Sequence, residues 1–358
     1  MQSVSRMRTK FAAVFGCALF MAGCASPPSS PPPEPVALEP PPTTEPLEPR
    51  QIVEPKIPRP PEVVAASPEP GTVATPKPEP ARFQALRPGD SFHDITWDKQ
   101  ARRFVLHVPP GYTGVQALPV VVVLHGRGSS AQAARLLGFS QKADREKFLV
   151  VYPESLGNPR IWNSRLEPNT QTADDLGYLQ AVLDRVAQSV NIDSRRLYFV
   201  GHSSGGMMAY RAAVEFSPRI AAVSVVGASV GAGQAGEFTR LPASGRPVSV
   251  LHIHGRNDRT VPFAGGKSAT LSGANYLSAR ESVDFWVKSN RCQPAARSST
   301  VASLSREIYA TCDGGTSVEF LTLLAGGHEW PRAVRTDAGS APSAVDLMWT
   351  FFAAHVKP

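Results

Sequence analysis

Polar and apolar residues alternate through Arg102-Arg103-Phe104-Val105-Leu106-His107-Val108, the period-two pattern of a strand, until Pro109-Pro110-Gly111 ends it. Val120 to Leu124 is a continuous apolar run closed by His125-Gly126-Arg127-Gly128, as a strand buried on both faces requires. Phe148 to Tyr152 repeats that pattern and stops at Pro153. From Asp174 to Val190 the spacing becomes helical, with Leu176, Leu179, Val182, Leu183 and Val186 on one side and Thr172 as the predicted N-cap. Strands follow at Leu197–Val200, Ala221–Val226, Val248–Ile253, Glu307–Ala310 and Val318–Leu324. Helices are predicted at Ser204–Phe216, Ala274–Lys288 and Ala344–His355. Strands that alternate with helices specify an α/β fold, a mostly parallel central sheet with helices on both faces.

The N-terminal part of the chain has neither pattern. Residues 1–24 read as an export signal: Arg6, Arg8 and Lys10 are followed by an apolar stretch from Phe11 to Ala22, short for a membrane span. Met21-Ala22-Gly23-Cys24 resembles a bacterial lipobox, in which Cys24 carries lipid and anchors the protein to a membrane; the alternative is an ordinary signal peptide. Residues 25–81 hold twenty of the 35 prolines and eight glutamates. So few large apolar residues cannot offset the entropy of ordering, so this stretch is expected to be a Pro/Glu-rich disordered tether. Residues 82–358 form the expected catalytic domain, large enough for one sizeable core.

Charge changes this picture little. The chain carries +7, of which the signal supplies +3 and the tether −4, leaving +8 on the domain. No basic run or nucleic-acid motif accompanies that charge, so a nucleic-acid partner is not expected. Cys292 and Cys312 are the cysteines beyond the signal. An even pair in an exported domain favours a disulfide over two buried thiols.

The chemistry concentrates in Gly201-His202-Ser203-Ser204-Gly205-Gly206, a G-x-S-x-G pattern after a buried strand and before a helix. That context is a nucleophile elbow, with Ser203 as nucleophile on a strained turn. Serine needs a base, and the base needs an orienting carboxylate. In the α/β-hydrolase fold the chain order is serine, acid, histidine. Asp258, after strand Val248–Ile253, and His328, after strand Val318–Leu324, satisfy that order and lie past the C-terminal strand ends. The other candidates fit less well. His107 and His252 fall inside strands, no later acid–histidine order includes His254, and His202 is too constrained within the elbow to act as base on its neighbour. His355 ends a helix, whereas Asp174 and Asp175 precede the serine. The oxyanion donors are expected to be the backbone N–H of Ser204 and that of Arg127, with Gly126 as second choice. Trp162, Trp330 and His125 are expected to contact substrate.

These residues resemble the polyhydroxybutyrate depolymerase/feruloyl esterase family of α/β hydrolases. The resemblance runs through Leu124-His125-Gly126, Trp162-Asn163, Asp174-Asp175-Leu176-Gly177-Tyr178 and Asn191-Ile192-Asp193 to Arg196. It continues in Ser203 through Arg211 and in Gly327-His328-Glu329-Trp330-Pro331, and spans about residues 90–355. It implies an exported serine esterase acting on feruloyl, acetyl or hydroxyalkanoate esters, small or polymeric, with no metal or organic cofactor. It also implies the Cys292–Cys312 bridge. Arg127 stands where relatives often have an aromatic residue or cysteine, and His202-Ser203-Ser204 where Met-Ser-Asn is frequent, which leaves the substrate open. A serine peptidase of the same fold, or a catalytically silent cell-envelope binding protein, is the rival expectation. A role for Asp175 in holding the loop around Trp162 is a further expectation. No lid insertion is expected between Ala221–Val226 and Asp258.

Overall fold

A computed structural model describes residues 86–357, apart from 167–171, 235–236, 295–296, 302 and 333–341. The expected signal, Cys24 and the tether lie outside the described residues.

In chain order the strands are β1 (Gly89–Trp97), β2 (Gln100–Val108), β3 (Leu118–Leu124), β4 (Leu149–Pro153), β5 (Ile192–His202), β6 (Ala222–Val226), β7 (Gly231–Gln234), β8 (Glu237–Arg240), β9 (Ser249–Gly255), β10 (Gly266–Lys267), β11 (Asn275–Tyr276), β12 (Arg297–Val301), β13 (Leu304–Tyr309) and β14 (Val318–Leu323). The helices are α1 (Ala131–Ala134), α2 (Phe139–Glu146), α3 (Asp175–Ser189), α4 (Ser204–Glu215), α5 (Ala279–Ser289) and α6 (Ala344–Ala353). Ten strands form one sheet in the order β1-β2-β4-β3-β5-β6-β9-β14-β13-β12. The run from β4 to β14 is parallel, and antiparallel pairs close both edges. This is the mostly parallel sheet that the alternation predicted, in the α/β-hydrolase arrangement.

The continuous apolar runs are explained by two cores, one on each face of the sheet. Val120, Val122 and Leu124 pack with Tyr178, Leu179, Met207 and Trp286 of α3, α4 and α5. Val121 and Val123 turn the other way, toward Phe139 of α2 and Met348 and Phe352 of α6. Each strand side chain therefore meets apolar neighbours whichever way it points.

Several local expectations are corrected. α3 is capped by Asp174, not Thr172: the Asp174 side chain accepts the Gly177 N–H at 3.0 Å and the Trp97 indole N–H at 3.1 Å. α5 starts at Ala279 rather than Ala274, because Ser278 and Glu281 form a reciprocal capping box and Asn275–Tyr276 pair as a strand. The polar strand β1 pairs with β2 through a tight turn in which Asp98 and Lys99 have φ of 47° and 60°. Between β6 and Asp258 the chain does insert structure: β7 and β8 join β10 and β11 in a second, antiparallel sheet. The short strand Gly231-Ala232-Gly233 offers too little alternation to be read as one.

Cys292 and Cys312 are bridged, with Cα atoms 3.9 Å apart and a separation of 20 residues. Closing a loop of that length stabilises the fold by about 3 kcal/mol through the unfolded chain. A second tie is ionic. Asp175 Oδ1 accepts from Arg102 at 2.6 Å, with the two side chains 0% and 1% exposed, and Oδ2 accepts the Asn163 N–H at 2.7 Å. Burial pushes the Asp175 carboxyl up; Arg102 and the Asn163 amide pull it back. This carboxylate joins β2, the start of α3 and the loop carrying Trp162. Asp175→Ala leaves the Arg102 charge buried without its partner, so the expected loss is about 3–5 kcal/mol in chemical denaturation. Turnover should fall with it as the Trp162 loop loosens; a variant with unchanged stability and turnover would remove this role.

Candidate active site

Ser203 stands between the end of β5 and the start of α4 with φ 55° and ψ −123°, a backbone conformation that non-glycine residues rarely hold. The turn survives because the residues two positions away on either side, Gly201 and Gly205, lack side chains. A Cβ on Gly201 would lie 2.1 Å from the Gly205 carbonyl oxygen, and one on Gly205 would lie 2.3 Å from that of Leu124. The Ser203 N–H donates to the Val226 carbonyl at 2.9 Å, fixing the elbow to β6.

The three residues singled out in the sequence come together here. His328 Nε2 lies 2.9 Å from Ser203 Oγ, and its Nδ1 lies 2.7 Å from Asp258 Oδ2. Asp258 Oδ1 accepts the N–H groups of Thr260 and Val261 at 2.8 and 2.9 Å. Burial works against the Asp258 charge, but hydrogen bonds from His254 and His328 outweigh it and hold the carboxyl well below the usual range. The site thus contains a hydroxyl, an imidazole and an ionised carboxylate in one hydrogen-bonded line, at the C-terminal edge of the parallel strands.

His202, set aside as a base, has a different place. Its Nε2–H donates to the His328 carbonyl at 2.6 Å, and its ring centre is 5.0 Å from that of His328. Burial, with the neighbouring His328, pushes His202 down to about 4. It is therefore a neutral donor at ordinary pH.

A cavity of about 350 Å³ opens beside Ser203 and His328. Gly126 and Arg127 of the loop after β3 border it, as do Ala133, Ala134, Leu137 and Leu271. A Cβ on Gly126 would come within 3.6 Å of Ser203 Cβ, so this loop runs directly past the serine. Ser204 follows the serine as the first residue of α4, and its Oγ accepts the Trp162 N–H at 3.3 Å.

The expected substrate contacts need correction. Trp162 is 0% exposed, and its indole N–H donates to the His125 carbonyl at 2.8 Å. It props the loop after β3 from inside the core and is not among the residues bordering the cavity. Trp330 packs edge-on against His202 and Phe139, each centroid 6.2 Å away, and likewise does not border it. His125 does border the cavity, yet both ring nitrogens are engaged: Nδ1–H donates to the Gly126 carbonyl at 2.8 Å, and Nε2 accepts the Ser155 N–H at 3.1 Å. Its hydrogen bonds shape the loop and leave none for a substrate. Sequence reasoning sets aside His254, which lies beside Asp258, and does not find Leu271 in the cavity wall. Nothing in the local pattern marks either. Among the described residues no group of three or more His, Cys, Asp or Glu is arranged to hold a metal ion.

Comparison with known proteins places the chain in a family. Residues 102–264 match the family described as "Esterase PHB depolymerase". "Putative esterase NocK" of Nocardia uniformis subsp. tsuyamanensis is 30% identical over 256 residues, 65% of this chain and 71% of that protein. Feruloyl esterase B of Piromyces equi is 26% identical over 63% of this chain, but the match spans only 42% of that longer protein. Among solved structures, the acetyl xylan esterase from Aspergillus awamori shares the fold, with a TM-score of 0.51 at 14% identity over 74% of this chain and 99% of that one. The chain belongs to the esterase PHB depolymerase family of carboxylic ester hydrolases.

Proposed function

We propose that this protein cleaves carboxylic esters by acyl transfer to Ser203, with His328 as general base and Asp258 as its orienting carboxylate. The observation that carries the proposal is the Ser203–His328–Asp258 line of hydrogen bonds at 2.9 and 2.7 Å. His328 takes the hydroxyl proton as Ser203 Oγ bonds to the ester carbonyl carbon, and the resulting imidazolium is held by the anionic Asp258. The tetrahedral oxyanion is stabilised by the backbone N–H of Ser204 and by that of Arg127, or of Gly126 beside it. His328 then protonates the departing alcohol. Water, deprotonated by the same imidazole, releases the acid and restores Ser203.

The substrate reading is a feruloyl, acetyl or hydroxyalkanoate ester. The apolar wall of Ala133, Ala134, Leu137 and Leu271 suits the acyl part. The named activities of similar proteins, feruloyl and acetylxylan esterases, belong to the same range. We further propose export, with Cys24 lipidated and residues 25–81 tethering the enzyme to a membrane. What supports this is the basic-then-apolar N-terminus and the density of proline after it.

Two outcomes are expected. Ser203→Ala should lower kcat by on the order of 10⁴-fold or more while leaving the fold intact. This is read on p-nitrophenyl acetate, butyrate and octanoate, methyl ferulate, acetylated xylan and a 3-hydroxybutyrate oligomer. The preferred ester selects among the three readings. A folded protein silent on every ester and unlabelled by a fluorophosphonate would favour the binding-protein alternative.

The second outcome concerns pH. His202 is neutral in the folded state to about 4, whereas an unfolded histidine titrates near ~6.5. Unfolding therefore binds a proton between these values. The stability that neutral His202 contributes is complete above ~6.5 and is lost as pH falls through its folded value. The stability difference between the wild type and His202→Met, measured by urea denaturation, should shrink as pH is lowered through that window. Parallel curves would show that His202 is not the titrating group.

A further inference from the structure

Behind Asp258 the interior holds three polar side chains that the ester-cleaving steps do not use. Tyr210 on α4 and His252 and His254 on β9 are each 0% exposed. Their polar atoms form an unbroken line. Tyr210 Oη is 2.5 Å from His252 Nδ1, and His252 Nε2 is 2.9 Å from His254 Nδ1. His254 Nε2 is 2.9 Å from the Val261 carbonyl oxygen and 3.4 Å from Asp258 Oδ2.

Donor and acceptor chemistry gives the line a direction. A carbonyl oxygen and a carboxylate oxygen only accept, so His254 Nε2 carries hydrogen. In the neutral ring Nδ1 then accepts, and it accepts from His252 Nε2–H. His252 Nδ1 is left to accept from the Tyr210 hydroxyl. We propose that Tyr210, His252 and His254 form a buried hydrogen-bond relay that turns the His254 N–H toward Asp258, making His254 a positioning residue for the ester-cleaving site. This rests on the acyl-transfer mechanism above.

The relay completes the coordination of Asp258. Two backbone N–H groups serve Oδ1; Oδ2 holds His328, and His254 Nε2, which donates to the Val261 carbonyl, also lies 3.4 Å from it. The surroundings keep its middle member, His252, uncharged. His252 is pushed well below its ordinary value by burial, with His254 and Arg280 adding to the effect. Arg280 on α5 is itself paired with Glu307 on β13 and with Asp284. Phe320 packs edge-on against His252 and Phe263 edge-on against His254, excluding water from both rings. The relay also crosses elements: α4 starts directly after Ser203, while β9 leads into the Asp258 loop.

With one donor fewer, Asp258 becomes a stronger base toward His328. The free enzyme then holds the imidazolium more tightly, so the acid limb of kcat/KM moves to higher pH, while a carboxylate less firmly oriented positions His328 less well for Ser203, so kcat falls. The experiment compares His254→Leu, His254→Gln, Tyr210→Phe and wild type in the full-length protein, using p-nitrophenyl acetate across pH. His254→Leu is expected to lower kcat on the order of tenfold, about the loss of one hydrogen bond to a charged group. KM should change little, and the acid limb should shift upward. His254→Gln can place an amide N–H near the Nε2 position and should restore most of kcat and the wild-type limb. Tyr210→Phe, a gentle change that only releases the far end, should give a smaller shift in the same direction.

If both His254→Leu and Tyr210→Phe keep the wild-type limb and kcat, the relay is overturned. It is overturned equally if His254→Gln is as impaired as His254→Leu, since burial rather than the N–H would then matter. Should His254→Leu fail to fold, the Gln and Tyr210→Phe limbs decide alone. A wild-type protein without Ser203-dependent hydrolysis fails the acyl-transfer mechanism instead, a result distinct from any change among the relay variants.

Discussion

The site depends on how closely the backbone approaches itself at the elbow. Gly201 and Gly205 sit where a single added carbon would penetrate a carbonyl group, about 2 Å away in both cases. No side-chain rotation relieves a clash with backbone, so these positions accept glycine alone. What that packing secures is the unfavourable φ of Ser203, held by the Val226 carbonyl on one side and by α4 on the other. The strained turn lifts Oγ clear of the sheet toward His328. It also puts the Ser204 N–H at the first position of a helix, where backbone donors have no partner within the helix itself.

Around that elbow polar atoms find partners that are mostly backbone. His125 is fixed by the Gly126 carbonyl and the Ser155 amide, Trp162 by the His125 carbonyl, and Asp258 by two amides of its own loop. Asp175 extends this support outward by tying Asn163, next to Trp162, to Arg102 on β2. Loops built this way keep their shape without long secondary structure. That matters here, because His328 and Asp258 both lie in loops beyond strand ends.

The parallel sheet is legible in the sequence because its strands are buried on both faces, and two-sided burial leaves continuous runs such as Val120–Leu124. The residues at the strand ends are legible because glycine and proline mark them, as in Gly326-Gly327-His328 and Asp258 through Pro262. Elements with weaker constraints are not. β1 is one-sided and polar, with alternate residues half-exposed, and β7 is largely glycine and alanine. Contacts between distant segments leave no local trace either. Trp162 looks like a pocket wall when judged by its nearness to catalytic motifs, yet the Trp162 side chain is covered entirely and acts from below. Chain order alone gives His254 no acid–histidine partner. Its Nε2 faces the Val261 carbonyl and Asp258, four residues on, both brought within reach by the turn after β9.

The same histidines raise an electrostatic requirement. Three imidazoles surround the Ser203–His328–Asp258 line, and burial lowers two of them, His202 and His252, well away from protonation at neutral pH. Were His202 charged, its ring 5.0 Å from His328 would oppose the imidazolium that acyl transfer requires. Being neutral, it can donate to the His328 carbonyl and fix that loop without adding repulsion. Burial thus leaves His202 its N–H donor while withholding its positive charge. The interior uses the donor for geometry, and leaves the positive charge to develop on His328, where Asp258 faces it.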